Sequence, residues 1–382
     1  MDYFDPRDYG YVADAVQGGP APLYYYTGTD NTGPLQTAID NAKASNLKKK
    51  VYIPNGFAMV SSLNVGDGHE LEFFGEGIGR SVLIPNGKAG GKYVFDAYGA
   101  GGIVLKDFGI GRAAFHPKKP AAILRYGIGN ASGNAARFER ISLYGQTTQG
   151  TFVNHGAPSS LMDNCFIYTF GTNAPAMFMQ NTTNWSFKHV ELHELEVHLL
   201  KQNNHAYKGY GGSLVAQFNG CEDFVFTGGT IGGNGPRAVD FNGTNKRFTF
   251  INSEFYAQDP VGQAFNGVIR NNGMLEDSSF INCRMDADVY LFGGPTGCIY
   301  KQLRFFGRRN NGASNAVVYT DGPAQIIDSE IDAWGSYVNV GGGNVLGSRI
   351  WNTAGIVANN KTGTIWTDTS GQLHTGSPII VG

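Results

Sequence analysis

The densest run of titratable side chains in the chain is Glu191-Leu-His193-Glu194-Leu-Glu196-Val-His198-Leu-Leu-Lys201. Leu195, Val197 and Leu199 alternate through it, so Glu194, Glu196 and His198 share the opposite face of an extended strand. Carboxyls held this close raise one pKa of the pair, which is how one of them becomes a general acid. His193 and His198 stand five apart, so the run is not an HExxH zinc helix, and no metal is expected. Tyr207, Lys208 and Tyr210 follow in a glycine-rich stretch placed to lean over a groove. The plainer alternative is an outward polar strand face with a loop after it.

A second set comprises Tyr256 with Gln258, Asp286 with Asp288, Arg308, and Asp332 with Trp334. Carboxylates beside aromatic rings on one long face suit an oligosaccharide, because rings pack on sugar faces and carboxylates bind hydroxyls or move protons. Glycosidic hydrolysis usually takes two carboxyls, ~5–5.5 Å apart for retention or ~6.5–9.5 Å for inversion. Residues two apart on one strand, or on adjacent strands, reach either spacing. The candidate catalytic carboxyls are therefore Glu194, Glu196, Asp286 and Asp288. His198, Tyr207, Tyr256, Arg308, Asp332 and Trp334 are the candidate substrate contacts, and no cofactor is expected. For Asp286 and Asp288 a solvated strand end is the alternative.

These residues need a scaffold, and an irregular repeat supplies it. Phe250-Ile-Asn252-Ser253-Glu254-Phe255 is the clearest copy of a six-residue pattern: apolar, any, turn, small, any, apolar. Copies at Phe280, Met162 and Ile326 match it, and looser ones start at Leu105, Phe138, Phe187, Phe226, Tyr300 and Val345. The starts are 19 to 39 residues apart, a solenoid spacing. The third position is Asn, Asp or Gly in seven of the ten copies, the residues that tolerate a left-handed backbone at a sharp corner. A right-handed, single-stranded parallel β-helix follows, of about ten coils at ~4.8 Å each. Asparagine on asparagine, or cysteine on cysteine, can then stack along it. The fifth positions, including Glu191, Thr230, Glu254, Arg284, Arg304, Glu330 and Arg349, point outward and read as an ion-pair ladder before they read as catalytic.

Composition agrees. Of 382 residues 55 are glycine, about twice the usual ~7%. Charged residues make up 16%, below the usual ~25%, while 41% are hydrophobic and 13% aromatic. A disordered chain, a coiled coil and collagen are excluded. The net charge of −2 argues against nucleic acid as a partner. No apolar run reaches ~18 residues, so no membrane insertion is expected, and the acidic start, Met1 to Asp5, shows no signal peptide. Cys165, Cys221, Cys283 and Cys298 have no CxxC spacing and read as buried thiols.

Residues 1–100 carry the N-terminal cap and first coils, 101–356 the β-helix body, and 357–382 a C-terminal cap or trimer contact. In the first segment Asp30-Asn31-Thr32 starts a short helix, with Pro34 early in it and Leu35, Ala38, Ile39 and Ala42 as its apolar stripe. Such a helix would close the open end of the coil.

Asp8-Tyr9-Gly10, Asp30-Asn31-Thr32 with Leu35-Gln36-Thr37-Ala38-Ile39-Asp40, and Val51-Tyr52-Ile53-Pro54-Asn55-Gly56 together resemble the N-terminal signature of the pectate-lyase-like superfamily. Gly75-Glu76-Gly77 is similar to the G-x-G that follows in many members. The chain departs at residues 11–29, an insertion holding Tyr24-Tyr25-Tyr26, which is a contact surface or a longer loop. Phage tailspikes, polysaccharide depolymerases, glycoside hydrolases and epimerases share this signature, so it implies a fold and not one reaction. Neither the polygalacturonase-like Asn-Thr-Asp, Asp-Asp and Gly-His-Gly series nor a calcium site with an Arg base is present, and no catalytic residue transfers by motif. The likeness to tailspikes implies a homotrimer, a virion location and a bacterial polysaccharide as partner. Three functions stay open: hydrolysis by paired carboxyls, β-elimination on a uronate with a base such as His198, Lys201, Lys208 or Tyr207, and a non-catalytic glycan-binding spike. The first is the reading preferred.

Overall fold

A computed structural model describes residues 2–18, 25–47, 49–66, 68–86, 88, 92–111, 119–127, 135–169, 174–194, 214–233, 237–257, 269–271, 273–286, 289–291, 298–306, 316–320, 323–333 and 337–376. The chain divides into two compact units, residues 1–210 and 211–382. No helix is long and apolar enough to cross a membrane among the described residues.

Each unit is wound from short strands in three rows, and within a row every strand pairs in parallel with the strand one coil away. In the first unit one row holds Val51, Phe73, Leu105, Phe138, Met162 and Phe187 in a single register column. A second row aligns Leu83, Ile110, Leu143, Ile167 and Leu192. The third aligns Leu63, Phe95, Leu124, Phe152 and Met177. All of these side chains are buried. The same residue faces inward at the same place in every coil, so the core is a set of apolar columns.

The second unit repeats the plan. Phe226, Phe250, Phe280, Tyr300, Ile326 and Val345 form one column. Ile231, Phe255, Met285, Phe305, Ile331 and Ile350 form the next. Its aromatic rings stack at the coil rise: Phe226 on Phe250 at 4.7 Å, Phe250 on Phe280 at 4.9 Å, Phe280 on Tyr300 at 5.1 Å. Tyr300 carries a hydroxyl into this dry interior, where it finds no partner among the described residues, and burial holds its pKa well above the phenol range. Tyr300→Phe is therefore expected to raise unfolding stability by about 1 kcal/mol or more, read by denaturant titration.

The corners follow the repeat. All ten third positions have positive φ, from 48° at Arg140 to 69° at Gly228. Arg140, His189 and Gln302 adopt it too, and Arg140 grips the corner of the neighbouring coil, its Nη2 donating to Asp107 Oδ2 at 2.8 Å; the coil closes only if the chain turns at that point, and tertiary context overrides preference. Asn282 Nδ2 donates to Asn252 Oδ1 at 2.8 Å, so asparagines stack as expected. Cysteines do not: Cys165 and Cys283 occupy the fourth position, but the neighbouring copies carry Ile141, Val190, Ser253 and Leu303 there. All four thiols are buried and free. Asn252→Val should cost ~1–2 kcal/mol more than Asn252→Gly, because a β-branched side chain fits the left-handed region worst; thermal unfolding of the two variants checks this.

The helix begins at the expected place and spans Thr32–Ala44, with Leu35, Ala38, Ile39 and Ala42 fully buried. Asn31 at its N-cap makes no capping bond. Its amide instead binds the Val12 backbone in both directions, accepting at 2.7 Å and donating at 2.9 Å, which ties the insertion to the helix start. Within the insertion, Val16–Gly18 and Tyr25–Thr27 pair as antiparallel strands, so this segment is a hairpin rather than a plain loop. Near the C-terminus the repeat ends, and Ile365–Asp368 folds back on Leu373–Thr375 in antiparallel pairing.

Candidate functional site

Position seven of each copy lies on the outer surface, two residues beyond position five. In the first unit these positions bring Tyr144, Tyr168 and His193 into one column across three coils. Parallel strands lie ~4.8 Å apart, so like positions put flat rings at stacking distance. Tyr144 and Tyr168 stack at 4.6 Å with planes 8° apart, and Tyr168 and His193 at 5.1 Å and 22°. Beside them stands Glu191, in register with Phe166. Its Oε2 lies 3.3 Å from His193 Nε2 and accepts from the Tyr168 hydroxyl at 3.5 Å. The Glu191 side chain is 40% exposed and that of His193 13%. A carboxylate is thus held between an imidazole and a phenol, reachable from solvent, on a strand fixed by the core residue Leu192 between them. This group can give or take a proton and accept sugar hydroxyls. Both faces of Tyr168 are covered by its neighbours in the stack, so a sugar would meet its ring edge and phenol oxygen here.

Of the carboxyls expected to be catalytic in this region, Glu194 closes the strand Glu191–Glu194 in register with Thr169. It does not share the register column of Tyr168 and His193. Glu196, His198 and Tyr207 lie outside the described residues. Sequence reasoning set Glu191 at the head of the dense titratable run but read it as a rung of an ion ladder and not as a catalytic carboxyl. The signal that would have singled it out is the aromatic run at position seven of the copies starting at Phe138, Met162 and Phe187.

In the second unit Tyr256 is in register with Gly232 on one side and Asp286 on the other. Its ring lies against Gly232 so closely that a Cβ there would stand 2.2 Å from Tyr256 Cδ1; Tyr256 is packed on the coil surface. Asp332 is half-buried and in register with Phe306 and Trp351. Trp351, 43% exposed, is the aromatic that the stacking sets beside Asp332, and sequence reasoning missed it. Two coil steps separate the column places of Asp286 and Asp332, about 10 Å of backbone. Asp288, Arg308 and Trp334 lie outside the described residues. The fifth positions form an ion ladder: Arg284 Nε is 3.6 Å from Glu254, and Arg304 Nε 4.0 Å from Glu330, all well exposed. Pairs of this kind contribute ~0–1 kcal/mol. Among the described residues no three His, Cys, Asp or Glu side chains converge as a metal site would require.

No family model matches the chain, and no curated protein matches it. Solved structures do. Full-length tailspike protein 2 of the Escherichia coli O157:H7 bacteriophage CAB120 aligns with a TM-score of 0.59 at 12% identity, over 87% of this chain and 42% of that one. The enzymatically active domain of tailspike protein 2 from bacteriophage CBA120 aligns with a TM-score of 0.58 at 12% identity, over 86% and 47%. ORF18 of Geobacillus virus E2 aligns with a TM-score of 0.54 at 12% identity, over 96% and 61%. The chain thus spans less than two thirds of the length of these relatives. At such identity the likeness is one of fold, and the fold it gives is the one that the superfamily signature in the first 100 residues implied: a right-handed parallel β-helix of the kind found in phage tailspikes.

Proposed function

We propose that this protein is a tailspike-like depolymerase that hydrolyses glycosidic bonds of a bacterial surface polysaccharide. The observation that carries the proposal is the exposed Glu191 carboxylate, held by His193 and Tyr168 on the outer face of a β-helix. A tailspike domain of the same fold is described as enzymatically active, which supports it. In this reading a glycan lies along the coil stack. Glu191 serves as one carboxyl of the hydrolytic pair, and Glu194 or Glu196 supplies the other as acid, base or nucleophile. Asp286 and Asp288, with Tyr256, Arg308, Asp332 and Trp334, remain the alternative carboxyl and contact set of the second unit. We place the protein on the virion as a homotrimer, following the likeness to tailspikes.

One observation favours a second reading. Glu191 beside His193 is also the arrangement that makes an imidazole a base, and a base is what β-elimination on a uronate needs. The test is incubation with a panel of capsular and O-antigen glycans, with mass analysis and ultraviolet absorbance of the products. Shortened chains that gain a water establish hydrolysis. Products with an absorbing double bond establish elimination. Glycans unchanged in size after prolonged incubation overturn both and leave a binding spike.

A further inference from the structure

The third row of strands in the first unit has an outer face of its own, carried by Tyr93–Tyr98, Ala122–Gly127, Gly150–His155 and Met177–Gln180. On it Arg125 sits between two rings, its guanidinium carbon 3.8 Å from the centroid of Tyr93 and 4.6 Å from that of Tyr98. The same guanidinium grips Asp96 with two bonds, Nε to Oδ1 at 2.8 Å and Nη2 to Oδ2 at 2.7 Å. Both charged side chains are only 23% exposed. This is unlike the open ladder at Glu254 and Arg284, whose side chains are 41% and 54% exposed. A bidentate pair braced by two aromatic faces fixes the rings in place before any ligand arrives.

One register column runs Tyr98, Gly127, His155, Gln180 across four coils. Tyr98 is 41% exposed, so its ring is open to solvent. Gly127 has no side chain, so the edge of the Tyr98 ring lies over it; a Cβ there would stand 2.9 Å from the ring and 2.6 Å from the His155 carbonyl. His155 Nδ1 is 3.0 Å from Gln180 Oε1. A carbonyl oxygen only accepts, so Nδ1 carries the hydrogen and Nε2 is left as an acceptor. Burial, with Arg125 nearby, lowers the His155 pKa, while the bond to Gln180 works against this, so the ring is neutral near pH 7. Phe178 meets the His155 ring at 5.8 Å and 64°. Three coil steps make the column roughly 14 Å long, the length of a short oligosaccharide. Arg125 is cancelled by Asp96, so the face has rings, amides and an imidazole but no net charge.

We propose that this face is a second saccharide site, which holds a neutral oligosaccharide segment along Tyr98, Gly127, His155 and Gln180, apart from the row where Glu191 stands. A pyranose packs on the Tyr98 ring, and His155 Nε2 accepts a hydroxyl. The site holds the polymer on the particle between cleavage events and does not require that cleavage occur at Glu191.

The test uses the full chain and an array of neutral and uronate-containing capsular and O-antigen oligosaccharides, with binding measured by calorimetry at neutral pH. A neutral oligosaccharide is expected to bind and to shift the His155 ring resonances. Tyr98→Ala is expected to weaken that binding at least tenfold, and Tyr98→Phe to keep it within twofold. Binding without turnover supports this site while removing the proposed hydrolysis. The inference is overturned if no neutral member of the array binds, if Tyr98→Ala binds like the native chain, if uronate-containing members bind more tightly than neutral ones, or if Tyr98→Ala abolishes turnover along with binding.

Discussion

Glu191→Gln is expected to lower glycan turnover by about 10²–10⁴-fold, the range that positioned acid–base groups contribute. The amide keeps the volume of the side chain and can still accept from the Tyr168 hydroxyl, now at 3.5 Å. It can neither carry the charge that faces His193 nor transfer a proton. Folding should be undisturbed, since the side chain is 40% exposed and a partly exposed contact such as the one with His193 adds little stability. Tyr168→Phe, which removes one long hydrogen bond, should cost no more than about tenfold. Initial rates on the glycan identified by the panel give the comparison. A Glu191→Gln enzyme within threefold of native would remove Glu191 from the chemistry and return the search to Asp286 and Asp288.

The second large effect concerns stability. Phe250→Ala should cost about 3–5 kcal/mol, measured by denaturant or thermal unfolding, as deletion of a buried aromatic ring does. Phe250 is fully buried, stacks on Phe226 and Phe280, and meets Phe255 edge-on at 5.2 Å. Its coil neighbours are held by register, so they cannot close the gap without moving the strands that carry them. Phe250→Leu, which fills much of the space, should cost well under half as much. A loss below 1 kcal/mol for Phe250→Ala would mean that the ring column is not what holds these coils together.

The two predictions rest on different kinds of knowledge. Phe250 was legible as a core residue in the amino-acid order, because it opens the clearest copy of the repeat. The corner residue Asn252 and the inward Phe255 were legible for the same reason. Glu191 was visible as an acidic residue at an outward position, but its partners were not. Tyr144, Tyr168 and His193 lie 24 and 25 residues apart, and only the winding of the chain turns that separation into a stack at 4.6 and 5.1 Å. Arg125 was wholly missed. Its partner Asp96 is 29 residues away, and the six-residue pattern does not extend to the row of strands that carries them.

A local pattern repeated in sequence is enough to specify a coil, because inward side chains, corners and strand lengths depend on residues within six places of each other. That much, a right-handed parallel β-helix with its apolar columns and left-handed corners, the residue order determined alone. Which outward side chains meet depends on which copies become neighbours and how they stack, and no single copy of the pattern contains that. The register of neighbouring coils therefore decided the rest: it set Glu191 against His193 and Tyr168, placed Trp351 beside Asp332, and closed Tyr93 and Tyr98 around Arg125.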